Sequence, residues 1–117
     1  MANKTLEVVR TNEPNSASAG FDMTTVAAND KILIDFDCKD QQTTFLVKCG
    51  TTAGNLTIKA GDSLQGVNDE VIALTAGKFH VFSIDSGRFK NISGTDKGKV
   101  VLNAGVALDI AVVETRV

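Results

Sequence analysis

Apolar and polar residues alternate through most of the chain, in short runs broken by glycine, aspartate and asparagine. A period of two marks a half-buried strand. Residues 4–10 alternate at Leu6 and Val8 and read as a first strand. From Lys31 the pattern becomes dense: Ile32, Ile34 and Phe36 fall on one side, with Leu33 and Asp35 on the other. Lys39 to Gln42 turns the chain, Thr43 to Cys49 runs back, and Gly50 to Gly54 turns it again before Asn55 to Ala60. After a turn at Gly61–Gly66 come Glu70 to Leu74, a turn at Ala76 to Lys78, and Phe79 to Ile84. Arg88 to Ile92 reads as a brief edge strand, and Gly94 to Gly98 as a polar loop. Lys99 to Leu102, a turn at Asn103 to Gly105, and Val106 to Val113 complete the pattern.

About eight short strands, spaced by about 8–12 residues with turn residues between them, predict an all-β fold. The reading is a single antiparallel β-sandwich, Ig-like or jelly-roll-like, over residues 1–117. At 117 residues the chain is the size of one domain. Helical spacing is nowhere sustained over three turns. Gly61 and Gly66 tolerate positive φ, and Asp62 can hydrogen-bond its own backbone, as a tight connection needs.

Residues 11–30 break the pattern. This stretch is rich in Asn, Ser, Ala, Thr and Gly, holds the single proline (Pro14), and carries Phe21, Met23 and Val26 as possible anchors. Loops of that length are seldom filler. Two readings stand: a surface loop pinned by Phe21, and an arm that orders on a neighbouring subunit.

Charge and composition narrow the functional classes. The net charge is −2 with no basic cluster, so a phosphate backbone finds no footprint. There is no Trp or Tyr and only six Phe, which leaves little for a stacking platform. No apolar run approaches the roughly 20 residues that span a bilayer. Residues 1–5 lack the apolar core of a signal peptide, so the expectation is a protein made and used without secretion.

The candidate chemistry is thin. Asp35, Asp37 and Asp40 lie within six residues, but the central glycine and distal glutamate of a calcium loop are missing, so a solvated strand end is expected. His80, the single histidine, stands beside Ser83 without a third group to orient it, which points to a structural role. Cys38 and Cys49, with one histidine, do not complete a zinc site. Free, half-buried thiols are the first reading, and a cross-strand bridge is the second. The glycines at 61–66 and 94–98 open no helix and so form no phosphate cradle. Asn55-Leu56-Thr57 and Asn91-Ile92-Ser93 match the glycosylation triplet, which matters only in a secreted eukaryotic protein. Lys48 with Lys59, and Arg88 with Lys90, suggest a cationic rim. It either blunts sheet edges or, at Arg88 and Lys90, meets an acidic partner. No catalytic, cofactor-binding or metal-binding residue is assigned, and no enzyme is expected.

Four segments carry a resemblance: Lys59-Ala60-Gly61-Asp62-Ser63-Leu64-Gln65-Gly66-Val67, Ala76-Gly77-Lys78, Asp85-Ser86-Gly87-Arg88-Phe89-Lys90, and Ser93 to Val100. Together they resemble small virion proteins of tailed phages and prophages of Gram-positive bacteria, over roughly residues 43–113. The resemblance implies a capsid decoration (cement) protein, a β-sandwich on the outside of the expanded head. Its partners would be the major capsid protein and copies of itself, as a trimer or another homo-oligomer. No cofactor, nucleic acid or membrane is implied, and assembly would take place in the host cytoplasm. A head fibre, neck or tail component is the alternative, with a bacterial adhesion or carbohydrate-binding module behind it.

Overall fold

A computed structural model describes residues 3–10, 20–38, 40–62 and 68–115. The described chain is an all-β sandwich of two sheets. Sheet 1 contains β1 (Asn3–Glu7), β4 (Lys31–Asp35), β9 (Lys99–Ala104), β6 (Gly54–Ile58) and β7 (Glu70–Leu74), in that spatial order. Sheet 2 runs β2 (Val9–Arg10), β10 (Leu108–Glu114), β5 (Thr43–Cys49), β8 (Phe79–Phe82), with β3 (Thr24–Val26) also pairing β10.

Hairpin-like alternation makes antiparallel pairing dominant, as the sequence predicts. The first segment adds two parallel pairs, β1 with β4 and β2 with β10, so both sheets are mixed. The single strand expected over 4–10 is therefore two strands. It breaks at Val8, where the chain leaves sheet 1 for sheet 2, and both Leu6 and Val8 remain buried in the interior. Parallel neighbours require the chain to cross between sheets rather than turn back.

The interior is where the alternating apolar residues meet. Ile32, Ile34, Leu56, Ile58, Val100 and Leu102 come from sheet 1, and Phe45, Val47, Ile110 and Val112 from sheet 2. Phe45 sits at the centre, its ring 6.2 Å from that of Phe36 and 4.9 Å from that of Phe82, both stacked.

Two further expectations need correction. Residues 88–92 do not form an edge strand. Ser86–Phe89 is one helical turn, α1, and only a single bridge from Lys90 to Val100 remains strand-like. Asp85 is the reason: its carboxylate accepts from the Gly87 N–H (2.9 Å), the side-chain cap that competes with strand formation. The turn points Phe89 inward, where it is buried. The second correction concerns the 11–30 stretch. Residues 11–19, the first part of the stretch read as a loop or arm, lie outside the described chain. Within the remainder, Phe21 is 43% exposed, whereas Val26 is fully buried on β3, so Val26 is the anchor.

Ion pairs tie the loop ends together, and Glu114 among them is buried. Arg10 bridges Asp37 and Glu114, each at 2.9 Å. Lys99 reaches Asp35 at 3.0 Å and Lys59 reaches Asp69 at 2.8 Å. The hydrogen bond from Arg10 holds the Asp37 carboxyl below its ordinary value. Lys59 and the Ala60 N–H do the same for Asp69, and the Ile92 N–H and Ser93 for Asp62. A carboxylate whose folded pKa is lowered stabilises the fold above its unfolded pKa, and that contribution is lost as pH falls through the folded value. Stability is thus expected to hold from neutral pH down to the ordinary carboxylate value of 3.8 and to fall below it. The fall is small, because solvent screens all three groups. Urea midpoints followed into acid check this, and a midpoint that rises on acidification below that value contradicts it.

Candidate interaction surface

The sequence-predicted polar candidates do not converge. Asp35 and Asp37 leave β4 toward different partners, Lys99 and Arg10. Among the described residues, no three His, Cys, Asp or Glu side chains come together in a way that suits a metal ion. His80 accepts a hydrogen bond at Nε2 from the Thr75 N–H (3.0 Å), which braces the connection between β7 and β8. Both cysteines are free thiols. Cys49 is buried and donates to the Thr52 carbonyl (3.3 Å). Cys38 is half-buried, and burial pushes its thiol pKa up, partly offset by a hydrogen bond with Thr43.

The supposed cationic rim is compensated locally. Lys48 lies over the Phe79 ring (5.4 Å to its centre), and Lys59 is paired with Asp69. The Arg88 guanidinium lies 4.9 Å from the centre of the Phe89 ring, in a cleft also lined by Glu70 and Asp85. That mixed setting offers an acidic partner no uniform positive surface.

Two of the singled-out segments meet at one corner, while the Ala76–Lys78 turn packs elsewhere, against Cys49 and Gly50. The Gly61 N–H donates to the Arg88 carbonyl (2.8 Å). Asp62 accepts from the Ile92 N–H (2.6 Å) and the Ser93 hydroxyl (2.7 Å). This end of the 59–67 stretch is therefore clamped to the 85–93 stretch; residues 63–67, with the second half of the predicted turn, lie outside the described chain. Asp62 secures a distant loop, a contact thirty positions away that local sequence reasoning does not reach.

What stands out is the outer face of sheet 2. With Phe45, Val47, Ile110 and Val112 turned inward, alternation turns Leu46, Ala111 and Val81 to the other face, where Ala111 is covered (3% exposed), Leu46 is half-buried and Val81 is open. They are direct cross-strand neighbours on β5, β10 and β8. Asp109, Lys48 and Phe79 form the adjoining row. Phe79 and Val81 are each 66% exposed. They also lie on β8, which has no strand beyond it among the described residues. The Cys49 N–H donates to the Lys78 carbonyl (3.0 Å). Antiparallel alternation from that pair leaves the backbone polar groups of Phe79 and Val81 directed at the open edge. An apolar edge with free backbone groups is a template for protein contact. Sequence alone did not single it out, because all four residues of β8 carry large side chains and either face passes for the core.

The chain matches no protein-family profile, no curated protein and no solved structure. No helix among the described residues is long and apolar enough to cross a membrane.

Proposed function

We propose that this protein is a structural component of a tailed-phage virion that decorates the outside of the head. In this reading it binds the major capsid protein through the outer face and open edge of sheet 2 and assembles with further copies of itself. The observation that carries the reading is the half-buried Leu46 beside the exposed Val81, with exposed Phe79 next to it, on an open, apolar edge strand. The resemblance over roughly residues 43–113 supports it from the sequence side. A coat component needs rigidity and repeated modest contacts, which copy number multiplies. A compact sandwich with a stacked aromatic centre supplies the rigidity.

Co-sedimentation with expanded heads lacking this protein, and with unexpanded ones, tests the proposal. Saturable binding to expanded heads alone is expected. Val81→Asp is expected to weaken it at least about ten-fold, since a carboxylate buried at an apolar contact loses its hydration without a partner. The variant's unfolding midpoint stays near that of the parent, because Val81 is exposed. Absence of binding to either form overturns decoration and points to a neck, tail or fibre position.

A further inference from the structure

The outer face of sheet 1 has a chemistry opposite to that of sheet 2. Lys31 on β4, Asn103 on β9 and Thr57 on β6 stand side by side as direct cross-strand neighbours. Two adjoining depressions, of about 380 and 350 Å³, share Lys31 and Asn103 in their walls. Asn91 and Asp96 line the first, and Asn29, Asn55 and Thr57 the second. The side chains of Asn29, Asn55, Thr57 and Asn103 make no hydrogen bond with another described residue. Each asparagine amide offers two donors and an acceptor, and the threonine offers a hydroxyl.

The backbone holds this trough open. Gly105 borders the second depression, and a Cβ there would lie 2.6 Å from the Asn55 carbonyl oxygen. Asn29 adopts φ 70°, the left-handed conformation that asparagine tolerates better than most residues. Its N–H donates to the Ala104 carbonyl (2.8 Å), which keeps it beside the trough.

Size, charge and polarity choose the ligand class. Lys31 to Thr57 spans two strand spacings, about 10 Å, and Asn55 to Thr57 about 7 Å along β6. Two sugar rings fit that footprint. The cations are matched by carboxylates, Lys31 by Asp96 at 3.8 Å and Lys59 by Asp69, so the trough has no excess charge to recruit phosphate or sulfate. A peptide strand would need an open edge, and β9 and β6 are both flanked on each side. Paired amides with vacant donors and acceptors suit vicinal hydroxyls. We infer that the outer face of sheet 1 is a binding site for neutral, hydroxyl-rich oligosaccharides, with Asn55, Thr57, Asn103 and Lys31 as its contacts. No aromatic lines it, so single-site binding is weak, and display in many copies would raise its effect. The inference stands apart from the virion reading.

Amide NMR titration of the whole protein tests it, with cellohexaose, mannohexaose and the hexasaccharide of N-acetylglucosamine as probes and dextran sulfate as the charged comparison. At least one neutral probe is expected to give saturable shifts at Lys31, Asn55, Thr57 and Asn103 below about 10 mM. Asn55→Ala with Asn103→Ala is expected to weaken binding at least about ten-fold while leaving the fold intact, as both side chains are exposed. Absence of saturable shifts on this face with all three neutral probes overturns the inference, as does unchanged binding in the double variant. Tighter binding of dextran sulfate than of any neutral probe overturns the ligand class. Protein that fails to sediment with heads yet shows these shifts loses the decoration reading alone, and the reverse result loses the carbohydrate site alone.

Discussion

Replacing Phe45 with alanine is expected to lower the free energy of unfolding by about 3–5 kcal/mol. The side chain is fully buried on β5, an interior strand of sheet 2. Its ring joins two partners that reach it from different directions: Phe36, which follows β4 of sheet 1, and Phe82 on the edge strand β8. Truncation removes the transfer free energy of the ring and leaves a cavity that neither sheet closes without breaking its ladder. Total stability for a domain of this size is about 5–15 kcal/mol, so the variant sits near the limit of folding. Denaturant unfolding gives the number directly. A double-mutant cycle with Phe82→Ala is expected to return a coupling of about 0.5–1.5 kcal/mol for the stacked pair. A loss below about 1 kcal/mol for Phe45→Ala would falsify the placement of this ring at the packing centre.

Phe45 also shows what the sequence makes legible. The alternation Thr43 to Cys49 assigns Phe45 and Val47 to one face from spacing alone, and both lie in the interior. The same reasoning locates the strands around Ile32, Leu56, Leu74, Leu102 and Ile110, because each needs only a period of two. Features that depend on partners distant in sequence were not legible. Nothing local at Val8 signals that the chain changes sheets there, or that its neighbours will be parallel. A single capping carboxylate, Asp85, turned a predicted edge strand into a helical turn; the cap is visible in the sequence, but the apolar spacing outweighed it. The surfaces follow the same rule. Lys31, Thr57 and Asn103 are polar residues on three strands, and only the pairing register makes them neighbours. Leu46 and Val81 look like core residues until the register shows that Phe45 and Val47 already occupy that side.

Gly61→Ala is expected to cost about 2–3 kcal/mol, for a reason other than the one its turn position suggests. Glycine in a tight connection is usually explained by positive φ, and Gly77, Gly94 and Gly98 have it while Gly61 does not. The constraint at Gly61 is close approach. A Cβ there would lie 2.6 Å from the Lys90 carbonyl oxygen and 2.9 Å from the Phe89 carbonyl carbon, and both are backbone atoms that no rotamer change moves. Relief requires α1 to shift away, which stretches the 2.8 Å bond from the Gly61 N–H to the Arg88 carbonyl and draws Phe89 from the interior. Gly77→Ala is the matched comparison. It has φ 72° and open space around it, so its cost is the left-handed conformation alone, about 1–2 kcal/mol. Unfolding midpoints for both variants, with amide shifts at Phe89, separate the causes: Gly61→Ala is expected to move Phe89 and Gly77→Ala to leave it in place. Equal costs with no movement at Phe89 would mean that the corner is loose. This corner joins Gly61 and Asp62 to the 85–93 stretch, so these residues are accounted for by packing. The proposed contacts lie elsewhere, on the apolar edge of sheet 2 and the polar trough of sheet 1.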